Sequence, residues 1–361
     1  MKLVGKKVFV GVSGGVDSSV ALALLQKGGY DVTGVFLKVW SPDFLPCNWK
    51  EERQSAMRVC ATLKVPFLTI DCEEEYKREV ADYMVKEYKA GRTPNPDVFC
   101  NKFIKFGLFL KKAIEIGADF IATGHYAKNS HLSPFCELSE SKDKEKDQSY
   151  FLYTLNQNQL SKIIFPVGEM TKPEVRALAQ KLNLPTANKK DSQGICFIGD
   201  VNMKDFLSHY IKPEIGDVLN TEGKIIGKHN GAIFYTIGER HGFQIMDKTP
   251  DDSACFVVSK DVVKNTITVA KKEEQSAREN AKEVIIKNMH WISGLEENLP
   301  LKTSVRIRYR QQKQDCVIKK IKNNYHIIFE NAQKGVALGQ SAVFYEKEIC
   351  LGGGIIEEIL S

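Results

Sequence analysis

Features that mark membrane proteins and secreted proteins are missing from this chain. No apolar run approaches the roughly 18 residues that a membrane-spanning helix requires. The apolar stretch after the basic start at residues 1–7 is too short for a signal peptide. The nine cysteines form no CxxC pair and follow no regular spacing, which argues against a disulfide scaffold, a zinc module and an iron–sulfur cluster. We therefore expect a cytoplasmic protein that has no membrane partner.

A strong excess of one charge is also missing. The net charge of +6 is modest for 361 residues and does not by itself indicate a nucleic-acid-binding protein. Hydrophobic residues make up 43% and charged residues 27% of the chain, which is ordinary for a globular protein. The length is large for one hydrophobic core, so we expect two or three domains.

The pattern of apolar residues changes along the chain. The first half alternates short β-type runs with helical spacing, which predicts a doubly wound parallel α/β sheet. After about residue 210, glycine-punctuated β-type segments follow, and from residue 281 alternation predicts a small antiparallel sheet or barrel. The predicted strands cover residues 8–12, 32–39, 66–70 and 120–122, and the predicted helices cover residues 16–27, 49–63, 74–90 and 102–116. The predicted domains are an α/β domain (1–208), a small β-rich domain (209–276) and a β-barrel (277–361).

A glycine-rich turn follows the first predicted strand and opens the first predicted helix. Glycine lets the backbone turn tightly and approach a phosphate group, and the N–H groups at a helix start point toward such a group. No Gly-Lys-Ser/Thr follows, so this is not a Walker A loop, and a tight connection without a ligand is the simpler alternative. The complete pattern favours a nucleotide-binding loop. Its residues are Gly11, Val12, Ser13, Gly14, Gly15, Val16, Asp17 and Ser18.

Two cysteines lie in loops that could present a reactive thiol. Cys100 ends a proline-punctuated loop near a predicted helix start, where the helix dipole can lower the pKa of a thiol. Asp97 lies three residues earlier, close enough to act as an acid or base beside it. Cys196 lies in a polar, glycine-containing loop. Loop context alone favours buried packing for either thiol, since free cysteine is among the most buried residue types.

Eight segments together resemble one enzyme family in the order in which that family has them. The chain resembles the bacterial tRNA-specific 2-thiouridylases, and its glycine loop is similar to the PP-loop of enzymes that split ATP into AMP and pyrophosphate. The resemblance implies a PP-loop α/β domain that carries the catalytic site, followed by two smaller β-rich domains, the last of which is a barrel that contacts tRNA. The matching segments are residues 11–18, 93–101, 122–126, 146–152, 165–176, 191–199, 234–238 and 339–354.

The resemblance implies thiolation of the wobble uridine in tRNAs for lysine, glutamate and glutamine. ATP would adenylate the 2-carbonyl oxygen of the base, and sulfur would then displace AMP. Cys196 would receive sulfur as a persulfide from a sulfur-relay protein or a cysteine desulfurase. Cys100 would be the partner nucleophile and would end in a disulfide with Cys196. Asp97 would move protons at the base, with Asn95 and Pro96 shaping its pocket. Whether free sulfide or the persulfide attacks the base stays open.

The resemblance also implies contacts to ATP and to tRNA. ATP would contact the glycine loop, Gly124 and Leu37, which stands where the family usually has methionine. Mg²⁺ is expected on the pyrophosphate, where Asp17 would position it or would instead hold the loop. His125 would lie beside the nucleotide or serve as a structural hydrogen-bonding residue. The expected tRNA contacts are Lys146, Asp147, Gln148, Arg308, Tyr309 and Arg310.

A basic stripe in the last domain supports the tRNA interpretation. Residues 302–322 contain eight Lys or Arg and a single acid. On a continuous strand, Arg306, Arg308 and Arg310 would share one face, which could meet phosphate groups or form a solvated strand edge. Departures from the family pattern, such as Glu239 in place of glutamine, lie mainly downstream.

Two other functions remain open at this level. An amide-forming ligase on the same loop would need no cysteine pair and would keep its activity in a Cys196→Ser variant. A tRNA-binding protein that has lost catalysis would retain tRNA without releasing AMP. Intact Asp17, Asp97, Cys100 and Cys196 argue against the second of these.

Overall fold

The computed structural model describes residues 5–45, 49–130, 135–190, 203–246, 253–271 and 280–360. The strands are β1 (Lys7–Gly11), β2 (Asp31–Lys38), β3 (Phe67–Asp71), β4 (Phe120–Ala122), β5 (Ala127–Ser130), β6 (Glu137–Glu140), β7 (Ile163–Ile164), β8 (Gly216–Leu219), β9 (Ile225–His229), β10 (Phe243–Ile245), β11 (Cys255–Asp261), β12 (Thr266–Lys271), β13 (Ala281–Trp291), β14 (Leu301–Arg306), β15 (Gln314–Ile321), β16 (Asn324–Gln333), β17 (Ser341–Glu346) and β18 (Ile349–Leu360). The helices are α1 (Val16–Lys27), α2 (Trp49–Leu63), α3 (Glu73–Tyr76), α4 (Asp82–Lys89), α5 (Pro96–Phe99), α6 (Leu110–Glu115), α7 (Gln157–Leu160), α8 (Lys172–Lys181) and α9 (Met203–Ser208).

A parallel five-stranded sheet forms the core of the N-terminal domain, in the order β3-β2-β1-β4-β7. The chain starts in the centre and builds outward in both directions, which confirms the predicted doubly wound sheet. The central strand β1 is apolar and almost completely buried, because helices cover both faces of a parallel sheet. Both α1 and α2 have the bounds that their helical spacing predicts.

Two long predicted helices contain π-helical turns. One runs from α3 through π-helical Lys77–Ala81 into α4, and the other runs from α5 through π-helical Cys100–Phe109 into α6. The second helix starts at Pro96, six residues before the predicted start. Proline is favoured at the first helical position, and the Asn95 side chain caps the helix by accepting from Val98 N (3.4 Å). Cys100 therefore lies one turn from a helix start, as the sequence predicts.

The last two domains are built from β-strands. The central sheet has the order β10-β9-β8-β12-β11, and its core includes Phe206 and Leu207 from α9. In the last domain, β13-β16-β15-β14-β17-β18 form a barrel that closes through pairing of β13 with β18, which confirms the predicted barrel. The hairpin β5–β6, which periodicity did not predict, comes from the N-terminal domain and pairs along β18, with Leu138 opposite Cys350. This pairing joins the α/β domain directly to the barrel.

Candidate nucleotide and thiol site

The glycine loop leaves β1 at the carboxyl edge of the parallel sheet and enters α1 directly. Val12 N donates to a carbonyl oxygen of β2 (2.8 Å), which holds the start of the loop against the sheet. Gly14 has a φ of +77°, and a Cβ there would lie 2.6 Å from the carbonyl oxygen of Glu52. A side chain at position 14 would therefore be strained and would also collide with α2. The local geometry explains why this turn needs glycine.

Serine hydroxyls hold the loop in shape. Ser13 N donates to Ser18 Oγ (3.2 Å), and Ser18 Oγ donates to the carbonyl oxygen of Gly15 (3.2 Å). Ser19 Oγ donates to the same carbonyl oxygen at 2.7 Å. Gly15 is the N-cap of α1 and has no side chain to bond to the helix N–H groups. The loop is thus preorganised, with backbone donors at a helix start that suit a phosphate group.

Asp17, in the first turn of α1, forms an ion pair. Lys172 Nζ at the start of α8 donates to both carboxylate oxygens of Asp17, at 2.7 and 2.8 Å. The hydroxyl of Tyr126 donates to Asp17 Oδ1 at 2.9 Å. The sequence pointed to a magnesium contact or to hydrogen bonds with the loop backbone. The contacts that the structure provides instead tie α1 to α8 and to the segment after β4.

Gly124 lies against the first turn of α1. A Cβ at this position would lie 2.5 Å from Ser18 N and 2.7 Å from the carbonyl carbon of Asp17. No L side chain fits there unless the helix start moves, so glycine is required by close backbone approach. Gly124 thus borders the glycine loop, beside the position where the resemblance places the nucleotide.

We predict that Gly124→Ala is destabilising and weakens ATP binding. Overpacking against a backbone lowers the free energy of unfolding by about 1–3 kcal/mol, and here it displaces the phosphate-binding turn. Gly11→Ala is the matched stability control, because its Cβ would meet its nearest atom at an ordinary 3.6 Å. Denaturant unfolding and equilibrium ATP titration measure the two effects. Equal stability of the two variants would contradict the expected clash.

His125 is buried behind Gly124 and is structurally bonded. Its Nδ1 lies 2.7 Å from Thr123 Oγ1, and its Nε2 lies 3.5 Å from Lys105 Nζ. Because an ammonium can only donate, Nε2 accepts and Nδ1 carries the proton. Burial, and then the charge of Lys105, hold the pKa of His125 well below its usual range. A neutral, hydrogen-bonded imidazole agrees with the structural alternative for this residue.

Leu37 lies near the carboxyl end of β2, the strand next to β1. It is half-buried and pairs in register with Ile70 of β3. Its backbone therefore lies at the same edge of the sheet as the glycine loop, which is where the resemblance places an adenine contact.

The thiol of Cys100 lies inside the N-terminal domain. Cys100 is only 2% exposed and belongs to the core cluster that also contains Tyr150 and Val98. Asn95 and Pro96 are also buried, whereas Asp97 is half-buried. Cys196 lies outside the described residues, so the predicted pairing of the two thiols stays a prediction.

The expected tRNA segment 146–148 is partly internal. The carboxylate of Asp147 accepts from Ser141 N (3.0 Å) and Ser149 Oγ (2.8 Å), and the residue is buried. Gln148 exchanges hydrogen bonds with the backbone of Tyr126. Lys146 and Gln148 keep part of their surface exposed. This arrangement leaves the carboxylate of Asp147 in a structural role.

The predicted arginine face does not form. Strand β14 ends at Arg306, and the chain turns at Arg308 and Arg310, so the three do not share one strand face. Arg306 instead points inward, where it pairs with Glu140 (2.8 Å) and Asp147 (2.9 Å) across the domain boundary. The alternation of apolar and basic residues is typical of a strand, but Arg306 pairs with the buried carboxylates of Glu140 and Asp147 and is not available to a ligand on that face.

Arg308, Tyr309 and Arg310 lie where the domains meet. Both arginines are exposed, and Arg308 donates to the carbonyl oxygen of Gly335. Tyr309 packs its ring 4.4 Å from the ring of Phe151, in the N-terminal domain. The three expected residues thus form a turn beside the core that contains Cys100.

A cleft of about 360 Å³ opens beside this turn, and all three domains line it. Thr93 lines the cleft. Its N–H donates to Leu338 O (2.8 Å), and its carbonyl oxygen accepts from Gln340 Nε2 (2.9 Å). The barrel therefore clamps the segment that leads to Cys100. Glu239, a departure from the family pattern, also lines the cleft, together with Ala337. Its remaining lining residues are Thr236, Ile237, Gly238, Arg308 and Gln340.

Comparison with known proteins covers nearly the whole chain. Family models match residues 6–200 (tRNA methyl transferase HUP domain), 204–271 (tRNA methyl transferase PRC-barrel domain) and 281–356 (aminomethyltransferase beta-barrel domain). A tRNA-specific 2-thiouridylase MnmA of Legionella pneumophila (strain Lens) is 46% identical over 358 residues, which is 98% of this chain and 99% of that protein. One of Pasteurella multocida (strain Pm70) is 44% identical over 98% of this chain and 93% of that protein. The chain belongs to the tRNA-specific 2-thiouridylase family.

Membership in this family confirms the resemblance drawn from the sequence motifs and makes the protein an enzyme, a sulfurtransferase. It also agrees with the fold, an α/β domain followed by two β-domains. Solved structures are more distant. A 4-thiouridine synthetase in complex with RNA and ATP has a TM-score of 0.37 and 18% identity, over 57% of this chain and 51% of that one. Among the described residues, no helix has the length and apolar character needed to cross a membrane.

The structure adds three polar residues that sequence reasoning missed at the candidate site. Lys172 and Tyr126 bind Asp17, and Glu140 binds Arg306. Lys172 stands 155 positions from its partner, and nothing in local spacing links the two. The one local signal is a lysine as the first residue of α8, a position where acidic residues are favoured.

Proposed function

We propose that this enzyme thiolates the 2-position of the wobble uridine in tRNAs for lysine, glutamate and glutamine, with release of AMP and pyrophosphate. The observation that carries the proposal is the position of the helix that contains Cys100. The segment that leads into it is held by the barrel at Thr93, and Phe109, farther along the helix, lies beside Gly11 of the glycine loop. One helix thus connects the thiol, the candidate ATP loop and the barrel.

The first step is adenylation of the base. The 2-carbonyl oxygen attacks the α-phosphorus of ATP, the bond to the pyrophosphate breaks, and a uridine adenylate forms. The half-buried Asp97, three residues before Cys100, takes the N3 proton as electrons move toward the oxygen. The backbone donors of the glycine loop bind the pyrophosphate, with Gly124 beside the loop and Leu37 at the adenine. Adenylation turns a poor leaving group into AMP.

The second step is transfer of sulfur. Cys196 carries the terminal sulfur as a persulfide, received from a sulfur-relay protein or a cysteine desulfurase. In one route, the Cys100 thiolate attacks Cys196 Sγ and releases hydrosulfide, which attacks C2 of the adenylate. In the other route, the terminal sulfur of the persulfide attacks C2 first, and the Cys100 thiolate then attacks Cys196 Sγ and releases the thiolated base. In both routes AMP leaves, a Cys100–Cys196 disulfide forms, and an external thiol must supply two electrons to reduce it. The adenylate requires a site that excludes water, and the burial of Cys100 agrees with such a site.

Magnesium enters this scheme as part of the substrate Mg–ATP. The carboxylate of Asp17 already accepts from an ammonium and a hydroxyl. Among the described residues no group of three or more His, Cys, Asp or Glu side chains could hold a metal ion. We therefore place the metal on the phosphate oxygens of ATP rather than on these side chains.

The anticodon arm binds at the domain junction. Exposed Arg308 and Arg310 flank Tyr309, whose ring lies against Phe151 beside the Cys100 core. Arginine suits the phosphate backbone, and an aromatic ring suits a base turned out of an anticodon loop. Lys146 and Gln148, with the backbone of Asp147, extend this surface, and Asn95 and Pro96 shape the base pocket.

We predict that Arg310→Ala weakens tRNA binding without affecting ATP binding. Loss of one phosphate contact reduces the slope of log affinity against log salt by about 1. Lys224→Ala is the control, because Lys224 is exposed on the turn between β8 and β9 of the central domain. Filter binding of unmodified tRNA at several salt concentrations measures both variants. An unchanged salt slope in Arg310→Ala would remove this residue from the interface.

The direct test of the function incubates the protein with Mg–ATP, unmodified glutamate tRNA and a sulfide source. Mass spectrometry of the digested nucleosides is expected to show 2-thiouridine, in amounts that match the AMP released. Release of AMP without thiouridine would keep the ATP chemistry but assign another acceptor, such as an amine. Retention of tRNA with neither product would indicate a binding protein.

A further inference from the structure

An arginine stands directly before the segment that leads to Cys100, and it binds carboxylates of two domains. Its side chain is only 18% exposed. Arg92 Nε donates to Glu87 in α4 (2.8 Å), and Arg92 Nη1 lies 2.7 Å from the carboxylate of Glu357 in barrel strand β18. Arg92 Nη2 lies 3.5 Å from the carbonyl oxygen of Ile356, also in β18. Each nitrogen of the guanidinium thus has a partner within the protein, and the side chain joins the N-terminal domain to the barrel.

The backbone that follows Arg92 is also held by the barrel. A Cβ on Gly339 would lie 3.2 Å from the Cβ of Arg92 and 3.0 Å from the carbonyl oxygen of Thr93, so the two chains pass very close to each other. The carbonyl oxygens of Thr93 and Pro94 accept from Gln340 Nε2 at 2.9 and 3.2 Å. Arg92 thus adds a charged contact to a row of close contacts through which the barrel sets the course of the chain into the next helix.

The bridge made by Arg92 is ionic near neutral pH. Glu357 also accepts from Lys287 Nζ of β13 at 2.8 Å. Lys287 first, and then Arg92, hold the pKa of Glu357 below its usual range, so this carboxylate is charged near pH 7. A guanidinium presents several donors in a rigid fork and reaches two carboxylates at once, whereas the ammonium of a lysine is a compact charge on a flexible stem. The link between α4 and β18 therefore depends on the shape of the arginine side chain as well as on its charge.

We propose that Arg92 is a positioning residue for the thiolation reaction, because its bridge between Glu87 and Glu357 fixes the segment that carries Asp97. Asp97 follows Arg92 by five positions, and its own side chain is half-buried. Loss of the bridge frees the start of this segment, and a displacement of about 1 Å at the reacting groups can slow a reaction about 100-fold. This inference rests on the proposed function, in which Asp97 takes the N3 proton of the uridine.

Single-turnover release of AMP, with saturating Mg–ATP and unmodified glutamate tRNA, tests the proposal. Arg92→Met is expected to slow this release about 10- to 100-fold. Arg92→Lys keeps the charge but not the fork that reaches both carboxylates, and is expected to slow it about 10-fold. Equilibrium titrations are expected to give ATP and tRNA affinities close to those of the unmodified protein, because a positioning residue acts on the reaction step. Lys128→Met is the matched control, since it breaks another ion pair between the N-terminal domain and the barrel, with Glu348.

Variants of Glu357 separate positioning from stability. Glu357→Gln removes the barrel partner and leaves Arg92 bound to Glu87, so this variant is expected to fold and to release AMP slowly. The double variant Arg92→Met/Glu357→Gln is expected to be no slower than Arg92→Met, because both changes break the same bridge. An unmodified rate in folded Arg92→Met and Glu357→Gln, checked by thermal unfolding, would overturn the proposal. A loss of tRNA affinity that matches the loss of rate would also overturn it, because Arg92 would then belong to the RNA interface. Failure of the unmodified protein to release AMP would overturn the proposed function together with this inference.

Discussion

Cys100→Ser and Cys196→Ser are each expected to reduce thiouridine formation from a persulfide donor by more than about 100-fold. A hydroxyl is a far weaker nucleophile than a thiolate and cannot carry persulfide sulfur. ATP binding is expected to be unchanged in both variants, because the glycine loop closes through its own serines. Mass spectrometry of nucleosides measures thiolation, and equilibrium titration measures ATP binding.

A control cysteine makes this prediction specific. Cys60→Ser changes a buried thiol on α2, where burial raises the pKa to about 11 and so keeps the thiol inert. The thiolation activity of the folded Cys60→Ser variant is expected to match that of the unmodified protein. Full activity in Cys196→Ser with a persulfide donor would contradict the sulfur route. Rescue of Cys196→Ser by added sulfide would show that free sulfide is able to attack the adenylate.

The second large effect is expected from Arg306→Met, which breaks the buried charge cluster between the domains. Asp147 would lose its arginine while remaining buried, whereas Glu140 would keep Lys144 and Lys313. Removal of one partner of a buried charge cluster costs about 3–5 kcal/mol. Arg78→Met removes an exposed ion pair and is expected to stay within about 0.5 kcal/mol. Denaturant unfolding compares the two. A similar decrease in the free energy of unfolding in Arg306→Met and Arg78→Met would mean that the buried charge cluster contributes little to stability.

The destabilisation by Arg306→Met is expected to depend on pH. Burial raises the pKa of Asp147 above its usual 3.8, and Arg306 opposes that rise. Loss of the arginine raises this pKa further, so the folded state binds a proton that the unfolded state has released. Stability of the variant therefore falls as pH rises above the unfolded value and recovers on acidification. Denaturant unfolding at pH 5.5 and 7.5 measures the loss of stability caused by Arg306→Met. A larger loss at pH 5.5 than at pH 7.5 would contradict the raised pKa of Asp147.

The sequence predicts well what depends on neighbouring residues. Helix α1 has the bounds that its apolar spacing indicates, and the loop before it lies at the sheet edge where glycine and helix-start reasoning place it. Cys100 lies one turn into a helix because Asn95 and Pro96 form a local start signal. Such features depend on contacts within a few positions, which the sequence displays directly.

Features that depend on distant pairing could not be predicted. The arginine stripe shows the alternation of a strand, yet β14 ends at Arg306, whose side chain pairs with the distant carboxylates of Glu140 and Asp147. The hairpin β5–β6 is short and gains its stability from pairing with β18, more than 200 positions away. Lys172 likewise meets Asp17 only because α8 packs against α1. Tertiary charge and strand pairing here outweigh the local pattern.

The central claim is that ATP adenylates the 2-carbonyl oxygen of the target uridine. Glutamate tRNA carrying ¹⁸O at O2 of the wobble uridine tests it in one turnover with Mg–ATP and a sulfur source. The account predicts that the released AMP contains one ¹⁸O and that the modified base contains sulfur in its place. Thiouridine together with unlabelled AMP would contradict the account, because the oxygen would then have left by another route.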